Sequence, residues 1–208
     1  MPHKGADPDD PPVSGLLCPR VLAEMGAFDA FPPVPGDYQV DGDWTQTYRI
    51  WGNSGRFRFQ NKDMGCLTVR RVRSAGRIEF FVDRVLVNAD GIEHISKAHI
   101  ECRDDELATL LRWKLEVQFT DSSRCPRPEL AMTLEGEAQE GGYLETCQGA
   151  QHRLEAPPPC TADWCLADVV QRNPGLDASF TVLEDLSKVK PGHRTARLRA
   201  DLAEKLAA

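Results

Sequence analysis

The chain has 208 residues, of which 41% are hydrophobic and 27% charged, and its formal net charge is −7. This composition is typical of a soluble globular protein that buries a sizeable core, and the negative charge argues against a general nucleic-acid binder. No stretch of 18 or more apolar residues occurs, so the sequence predicts no membrane span. It predicts a cytoplasmic protein, with an exported mature protein whose signal was removed as the alternative.

The negative charge is concentrated at the N-terminus. Residues 1–43 contain two basic and eight acidic residues, a net charge of −6, whereas the remaining chain carries only −1. Residues 1–15 are rich in Pro and Asp and are predicted to form a disordered acidic arm. Residues 16–36 contain enough apolar side chains for a short docking segment that packs against the main body.

Alternation of apolar and polar residues begins at Trp44 and predicts β-strands. The clearest stretches are RWKLEVQFT, at 112–120, and ELAMTLEGE, at 129–137. The side chains predicted to face inward in these two strands are Trp113, Leu115, Val117, Phe119, Leu130, Met132 and Leu134. The stretch RIEFFVDRVLVNA predicts a long strand whose apolar face switches near Phe80, as a β-bulge would cause.

Glycine-containing turns separate these strands. They occur in WGNSGRF at 51–57, in SAG at 74–76 and at Asp90-Gly91. Short turns leave no room for crossover helices, so about eight or nine strands between Trp44 and Glu155 are predicted to form an antiparallel up-and-down meander. The predicted fold class is mainly β, with the meander curled into a barrel or half-open barrel and with short flanking helices.

The chain changes character after EAPPPC. Thr161 is a candidate helix cap, and a helix is predicted near 163–173, inserted in a single β-meander domain over 37–192. The stretch SFTVLEDL predicts one more strand. Leucines at i, i+4 and i+8 predict an amphipathic C-terminal helix over 193–208.

The stretch HISKAHIEC carries two histidines and a cysteine, which raises the question of a metal site. On a strand, His94 and Cys102 share one face but lie roughly 26 Å apart, and His99 points to the other face. The sequence therefore predicts no metal site. His94 is the one histidine here that faces the apolar side, so it is a candidate for ligand binding, together with Trp51 beside a hairpin tip.

Residues 56–77 contain seven basic residues and one acid, interleaved with phenylalanines. The candidates for an anion-binding patch are Arg56, Arg58, Arg70 and Arg71. The pattern favours, over such a patch, a solvated face on which these bases pair with acids of neighbouring strands. Those acids are Glu79, Glu93, Glu101 and Glu116.

The seven cysteines include one close pair, Cys160 and Cys165, in CTADWC. This pair predicts either a local disulfide or two free thiols, because a lone C-x4-C without a nearby histidine is a poor zinc signal. Nucleophile-elbow and phosphate-binding motifs are absent from the sequence. No catalytic residue and no cofactor are therefore predicted.

The stretches RWKLEVQF, DWCLADVVQRNP and FTVLEDLSKVKPG, within residues 105–192, resemble a group of bacterial proteins that are often exported. This resemblance implies a fold built mainly of antiparallel strands and implies no activity. The chain departs from the pattern at its end, where a helix-like tail replaces further strand. In general shape the predicted fold is also similar to curled open barrels that carry lipids or lipoproteins.

These observations predict a non-enzymatic β-sheet protein that binds a small apolar or amphipathic ligand, or a protein partner. One alternative is an accessory or assembly subunit of a larger enzyme complex, docked through the acidic arm and the C-terminal helix. A second alternative is an enzyme whose site is assembled from several strands.

Overall fold

The computed structural model describes residues 39–52, 62–88, 91–123, 125–173 and 177–198. Of residues 51, 52, 62, 63 and 194–198 it gives only the backbone. The predictions for the acidic arm, for the docking segment and for Arg56 and Arg58 lie outside the described residues.

The first layer of the fold is an eight-stranded antiparallel sheet in which each strand pairs with the next along the chain. The strands are β1 (Trp44–Gly52), β2 (Lys62–Ser74), β3 (Arg77–Val87), β4 (Glu93–Arg103), β5 (Leu110–Phe119), β6 (Met132–Gln139), β7 (Gly142–Cys147) and β8 (Ala150–Leu154). In β5, Trp113, Leu115 and Val117 are buried and the residues between them are exposed. The predicted antiparallel meander and its alternation are confirmed.

The second layer is built from the C-terminal part of the chain. It contains β9 (Cys160–Ala162), a 3-10 turn over Asp163–Cys165, α1 (Leu166–Arg172), β10 (Ala178–Glu184) and β11 (Gly192–Leu198). Strand β10 pairs with β9 in parallel and with β11 antiparallel. The helix predicted near 163–173 and the strand in SFTVLEDL are confirmed, but β9 was not predicted.

The large sheet is not closed or curled into a barrel, so that prediction is wrong. Strands β1 and β8 lie at opposite edges, and each pairs with one strand in the part of the chain that the structure describes. Closure is unnecessary because the second layer packs on the apolar face of the sheet. We call this side of the large sheet the covered face.

Side chains on the covered face form rows that cross the strands. The central row contains Trp44, Arg71, Phe80, Ile100, Trp113, Gly136 and Glu145. Gly136 has no side chain because the Trp113 ring occupies that space: a Cβ there would lie 2.1 Å from Cζ2 of the ring. Dense packing of this kind fills the space that a barrel would have left for a ligand.

Contacts near both edges of the sheet hold the second layer in place. The carboxylate of Asp168 in α1 lies 2.7 Å from Nε of Arg71 in β2, and both side chains are fully buried. At the other end of the sheet, the backbone N–H of Lys190 donates to the Glu145 carboxylate at 2.8 Å. Thr161, predicted as a helix cap, instead lies in β9 and donates its hydroxyl to the carbonyl of Ala108 at 3.1 Å.

Three further predictions are wrong. The register of β3 with β2 and β4 is continuous, so no bulge occurs near Phe80, which shares the buried face with Ile78 and Val82. Leu130 lies in a 3-10 turn over Pro128–Leu130 and is 46% exposed. In the predicted C-terminal helix, residues 193–198 instead belong to β11, because they pair with β10, and residues 199–208 lie outside the described residues.

Candidate functional site

As far as the described residues show, the second layer does not extend over one end of the covered face. There, Leu86, His94 and Phe119 lie side by side on β3, β4 and β5. All three side chains are half-buried, whereas the rows beneath the second layer are almost fully buried. We call these three residues the rim row. A half-buried apolar row at the edge of a filled core leaves apolar surface available for binding.

His94 is the polar member of the rim row. Its imidazole stacks on the Phe119 ring, with centroids 4.8 Å apart and planes inclined by 11°. Its Nε2 lies 3.2 Å from the Ser96 hydroxyl oxygen. Burial lowers the pKa of His94, the positive charge of Arg84 lowers it further, and Asp185 partly opposes this shift. A neutral imidazole is therefore favoured, and it can donate or accept one hydrogen bond.

A cluster of polar side chains lies one row further in, where the second layer begins. Its members are Arg84, Ser96, Asp185 and Ser187, and we call them the polar cluster. The Arg84 guanidinium donates from Nη2 to the Ser187 hydroxyl at 2.7 Å and to the Ser96 hydroxyl at 3.4 Å. It also lies 5.0 Å from the centre of the Trp164 ring. The arginine thus joins the sheet to the second layer.

Asp185 supplies the negative charge of the polar cluster. Its carboxylate lies 3.5 Å from Nη2 of Arg84 and accepts a hydrogen bond from the Ser187 hydroxyl. Burial acts to raise the pKa of Asp185, but the Ser187 hydrogen bond and the charges of Arg84 and Lys188 outweigh it and lower the pKa. Its backbone has φ of 55°, a strained value for a residue other than glycine. Its N–H is fixed by the Asp163 carboxylate at 3.0 Å.

The contact between His94 and Ser96 resembles a nucleophile and its base, but burial argues against that role. The Ser96 side chain is fully buried, so a substrate carbonyl has no path to its hydroxyl in this conformation. Ser96 also interacts with Arg84, which orients the hydroxyl. The contact between Ser96 and His94 therefore positions the imidazole. The imidazole can form a hydrogen bond to a polar group of a ligand that lies beside the apolar surface.

The other candidates from HISKAHIEC lie where the alternation predicts. His99 faces the opposite side of the sheet from His94, with its Nε2 2.7 Å from the Glu79 carboxylate. Its ring stacks on Phe81 at 4.6 Å, and the guanidinium of Arg70 lies 4.1 Å from the same Phe81 ring. Among the described residues no group of three or more His, Cys, Asp or Glu side chains is arranged to hold a metal ion.

The predicted basic patch is divided by the sheet. Arg70 is exposed on the outer face, whereas Arg71, its neighbour in β2, is fully buried on the covered face. Acids of neighbouring strands also pair with bases on the outer face, where Glu101 contacts Arg77 at 3.0 Å and Arg112 at 2.6 Å. These pairs favour the alternative of a charge-paired face for the described residues.

Trp51 and the cysteine pair complete the set of sequence candidates. The side chain of Trp51 lies outside the described residues. Cys160 and Cys165 are free thiols in the structure. The sulfur of Cys165 lies 3.9 Å from that of Cys102, whereas Cys160 donates to the carbonyl oxygen of Thr161 at 3.7 Å.

The sequence contains a signal for Arg84 as a functional residue. Arg84 follows Ile78, Phe80 and Val82 in the same alternation phase, so the apolar pattern places a charged side chain on the covered face. A charge in that position requires a partner. The position of its partner Asp185, 101 residues later in the chain, follows only from the fold.

A shallow groove of about 370 Å³ lies between the ends of β5 and β6, next to the row that neighbours the rim row. Its lining is Glu116, Val117, Gln118, Ala131, Met132, Thr133 and Gln148. This mixed polar lining, open to solvent, lacks the apolar walls of a typical ligand pocket. The rim row is the better candidate.

Comparisons of the chain with protein-family models, with curated proteins and with solved structures found no match. In the part of the chain that the structure describes, no helix is both long enough and apolar enough to cross a membrane.

Proposed function

We propose that the protein binds an amphipathic small molecule on the rim row, with its apolar part along Leu86 and Phe119 and its polar head group toward His94 and Arg84. The observation that carries this proposal is the combination of half-buried apolar side chains with a half-buried imidazole, at an end of the covered face where they are not fully buried by the described residues.

The apolar part of the ligand is supported by the surroundings of the rim row. The next row inward contains Leu67, Val117 and Met132, of which Leu67 and Met132 are only partly buried. These side chains extend the apolar surface on both sides of Arg84 and Ser96. Covering such a surface with an alkyl or aromatic group is favourable by about 25 cal/mol per Å².

The polar head group is supported by unused hydrogen-bonding capacity. Nε of Arg84 has no hydrogen-bond partner among the described residues but is buried, so Arg84 attracts a head group by its positive charge, through the 11% of its side chain that is exposed. The neutral His94 imidazole can supply a second donor or acceptor. An acidic head group suits these donors best, because a carboxylate accepts strong hydrogen bonds from a guanidinium.

The two other functions inferred from the sequence have less support. The accessory-subunit prediction depends on an acidic arm that lies outside the described residues and on a helix that is partly replaced by β11. The enzyme prediction requires an accessible nucleophile or acid–base pair, and Ser96 beside His94 is fully buried. Both stay predictions.

Isothermal titration of the full chain with dodecanoate tests the proposal. We expect saturable binding to one site, and we expect the Phe119→Ser variant to weaken it by at least about tenfold, because the apolar contact of a large ring is lost.

The chain offers a matched control on the opposite face. Phe81 stacks on His99 as Phe119 stacks on His94, so Phe81→Ser removes an equivalent ring far from the rim row. This variant should bind dodecanoate as the parent does. Absence of saturable binding, or equal weakening by both variants, would show that the rim row is not a ligand site.

A further inference from the structure

Two buried cysteines lie in contact at the interface between the layers. Cys102 is in β4 and Cys165 ends the 3-10 turn before α1, and their sulfur atoms are 3.9 Å apart. Both side chains are fully buried and both thiols are free in the structure. The two residues are 63 positions apart in the chain, so only the packing of the second layer on the sheet brings them together.

We propose that Cys102 and Cys165 form a disulfide that links the second layer to the large sheet when the chain folds in the presence of a disulfide donor. A disulfide requires sulfur atoms about 2.05 Å apart, so the sulfurs must approach by about 1.9 Å. Rotation of the cysteine side chains about χ1 moves a sulfur by such a distance without moving the backbone.

The reaction is a thiol–disulfide exchange. The thiolate of one cysteine attacks the donor disulfide and releases one donor thiol, which gives a mixed disulfide. The second cysteine then loses its proton and attacks the protein sulfur of that mixed disulfide, which releases the second donor thiol. Two protein thiols are oxidised and one donor disulfide, from a small-molecule thiol or a dithiol oxidoreductase, is reduced.

Burial determines when this exchange occurs. In the folded protein neither sulfur is accessible to a donor, and burial raises the pKa of the Cys165 thiol well above its ordinary value. The thiolate is the reactive form, so the packed pair is unreactive. The mixed disulfide with the donor therefore forms before the second layer closes on the sheet, and the second exchange takes place as packing brings the two sulfurs together. Once closed, the fold protects the bond from reductants.

The position of Cys160 favours a bond between Cys165 and Cys102 over the bond between Cys160 and Cys165 that the stretch CTADWC suggests. The Cys160 sulfur points to the carbonyl of Thr161, and Cys160 lies in β9, which is held in a parallel pair with β10. Cys165 lies beyond the strand, in the 3-10 turn that faces β4.

Peptide mapping of the full chain tests the proposal. The denatured, reduced protein is refolded with a mixture of reduced and oxidised glutathione, alkylated under denaturing conditions and digested with trypsin and an enzyme that cleaves before aspartate. Trypsin alone leaves Cys160 and Cys165 in one peptide, residues 154–172, and cleavage before Asp163 separates them. We expect the Cys165 fragment to be linked to the peptide of residues 98–103, which contains Cys102.

Thermal unfolding gives a second measurement. A bond that closes a loop of this length should raise Tm by roughly 10 °C in the oxidised protein relative to the same protein fully reduced. The Cys160→Ala variant should keep this difference, and Cys165→Ala should lose it. The map of the parent chain decides the pairing even if the Cys165→Ala variant does not fold.

Each other outcome contradicts the proposal. Complete alkylation of both cysteines, or a link between Cys160 and Cys165, would show that the contact in the structure is not a bonding pair. A link between Cys102 and Cys165 without a rise in Tm would show that the bond does not hold the second layer on the sheet.

Discussion

Replacing Asp168 with asparagine should cause a large loss of stability. Its carboxylate lies 2.7 Å from Arg71 and 2.8 Å from Arg172, and the side chains of Asp168 and Arg71 are fully buried. Burial raises the pKa of Asp168, and the two guanidinium groups oppose that rise. The Asp168→Asn variant keeps the shape of the side chain but leaves both guanidinium groups without a counter-charge.

The expected size of the loss follows from the burial. Removing one partner of a buried ion pair costs about 3–5 kcal/mol, because the other charge remains without compensation. Arg71 keeps its hydrogen bond to the carbonyl of Asp41 at 3.0 Å, which favours the lower end of that range. With a slope of about 2 kcal/mol per molar urea, the unfolding midpoint should fall by roughly 1.5 M.

Urea unfolding at neutral pH, followed by tryptophan fluorescence, measures this shift. The matched control is Glu135→Gln in the exposed pair with Lys114, which are 3.0 Å apart and more than half exposed, and its midpoint should not change measurably. A midpoint for Asp168→Asn that equals that of the control would refute the view that this buried pair holds the second layer on the sheet.

Three more predictions concern single residues. Burial raises the pKa of Glu145 above its ordinary 4.5, so its contribution to stability is present below that pH and is lost as the pH rises through the raised pKa. The free energy of unfolding of the parent relative to Glu145→Gln should therefore fall from pH 4 toward neutrality in urea titrations, and a rise would contradict this sign. In Gly136→Ala the new methyl group would overlap the Trp113 ring, so Tm should fall by several degrees, and an unchanged Tm would show that the ring moves freely. The imidazole of His94 should titrate below its ordinary 6.5 by NMR, with stability lost as the pH falls through that lowered pKa, whereas a midpoint above 6.5 would contradict its half-buried position.

The alternation of apolar and polar residues predicted the strands of the large sheet. It also predicted on which face of the sheet each side chain lies. His94 and His99 lie on the opposite faces assigned to them, because on a strand the direction of a side chain depends only on its position along the chain. The same property carries no information about sheet closure. The barrel was inferred from strand number alone, and it is wrong because a second layer covers the apolar face.

The second layer was harder to predict because the sequence patterns of its strands and helix are short or do not match the side chains that are buried. Strand β9 has three residues, and its partner β10 follows only after an intervening helix. In α1 the buried side chains are Asp168 and Val169, and an aspartate at a buried position does not fit the apolar pattern by which a packed helix is recognised. A buried aspartate is recognised only when its partner Arg71 is known to lie opposite.

The rim row was partly predictable. His94 was selected because it shares the apolar phase of β4, but its stacking partner Phe119 comes from the far end of β5 and depends on register. Export and the resemblance to bacterial antiparallel-β proteins stay predictions.

Native mass spectrometry of the full chain purified from its own source tests the central claim, that the rim row binds an amphipathic small molecule. We predict an added small-molecule mass that is lost in the Phe119→Ser variant and kept in the Phe81→Ser variant. A bare protein, or a bound mass kept equally by both variants, would contradict the claim.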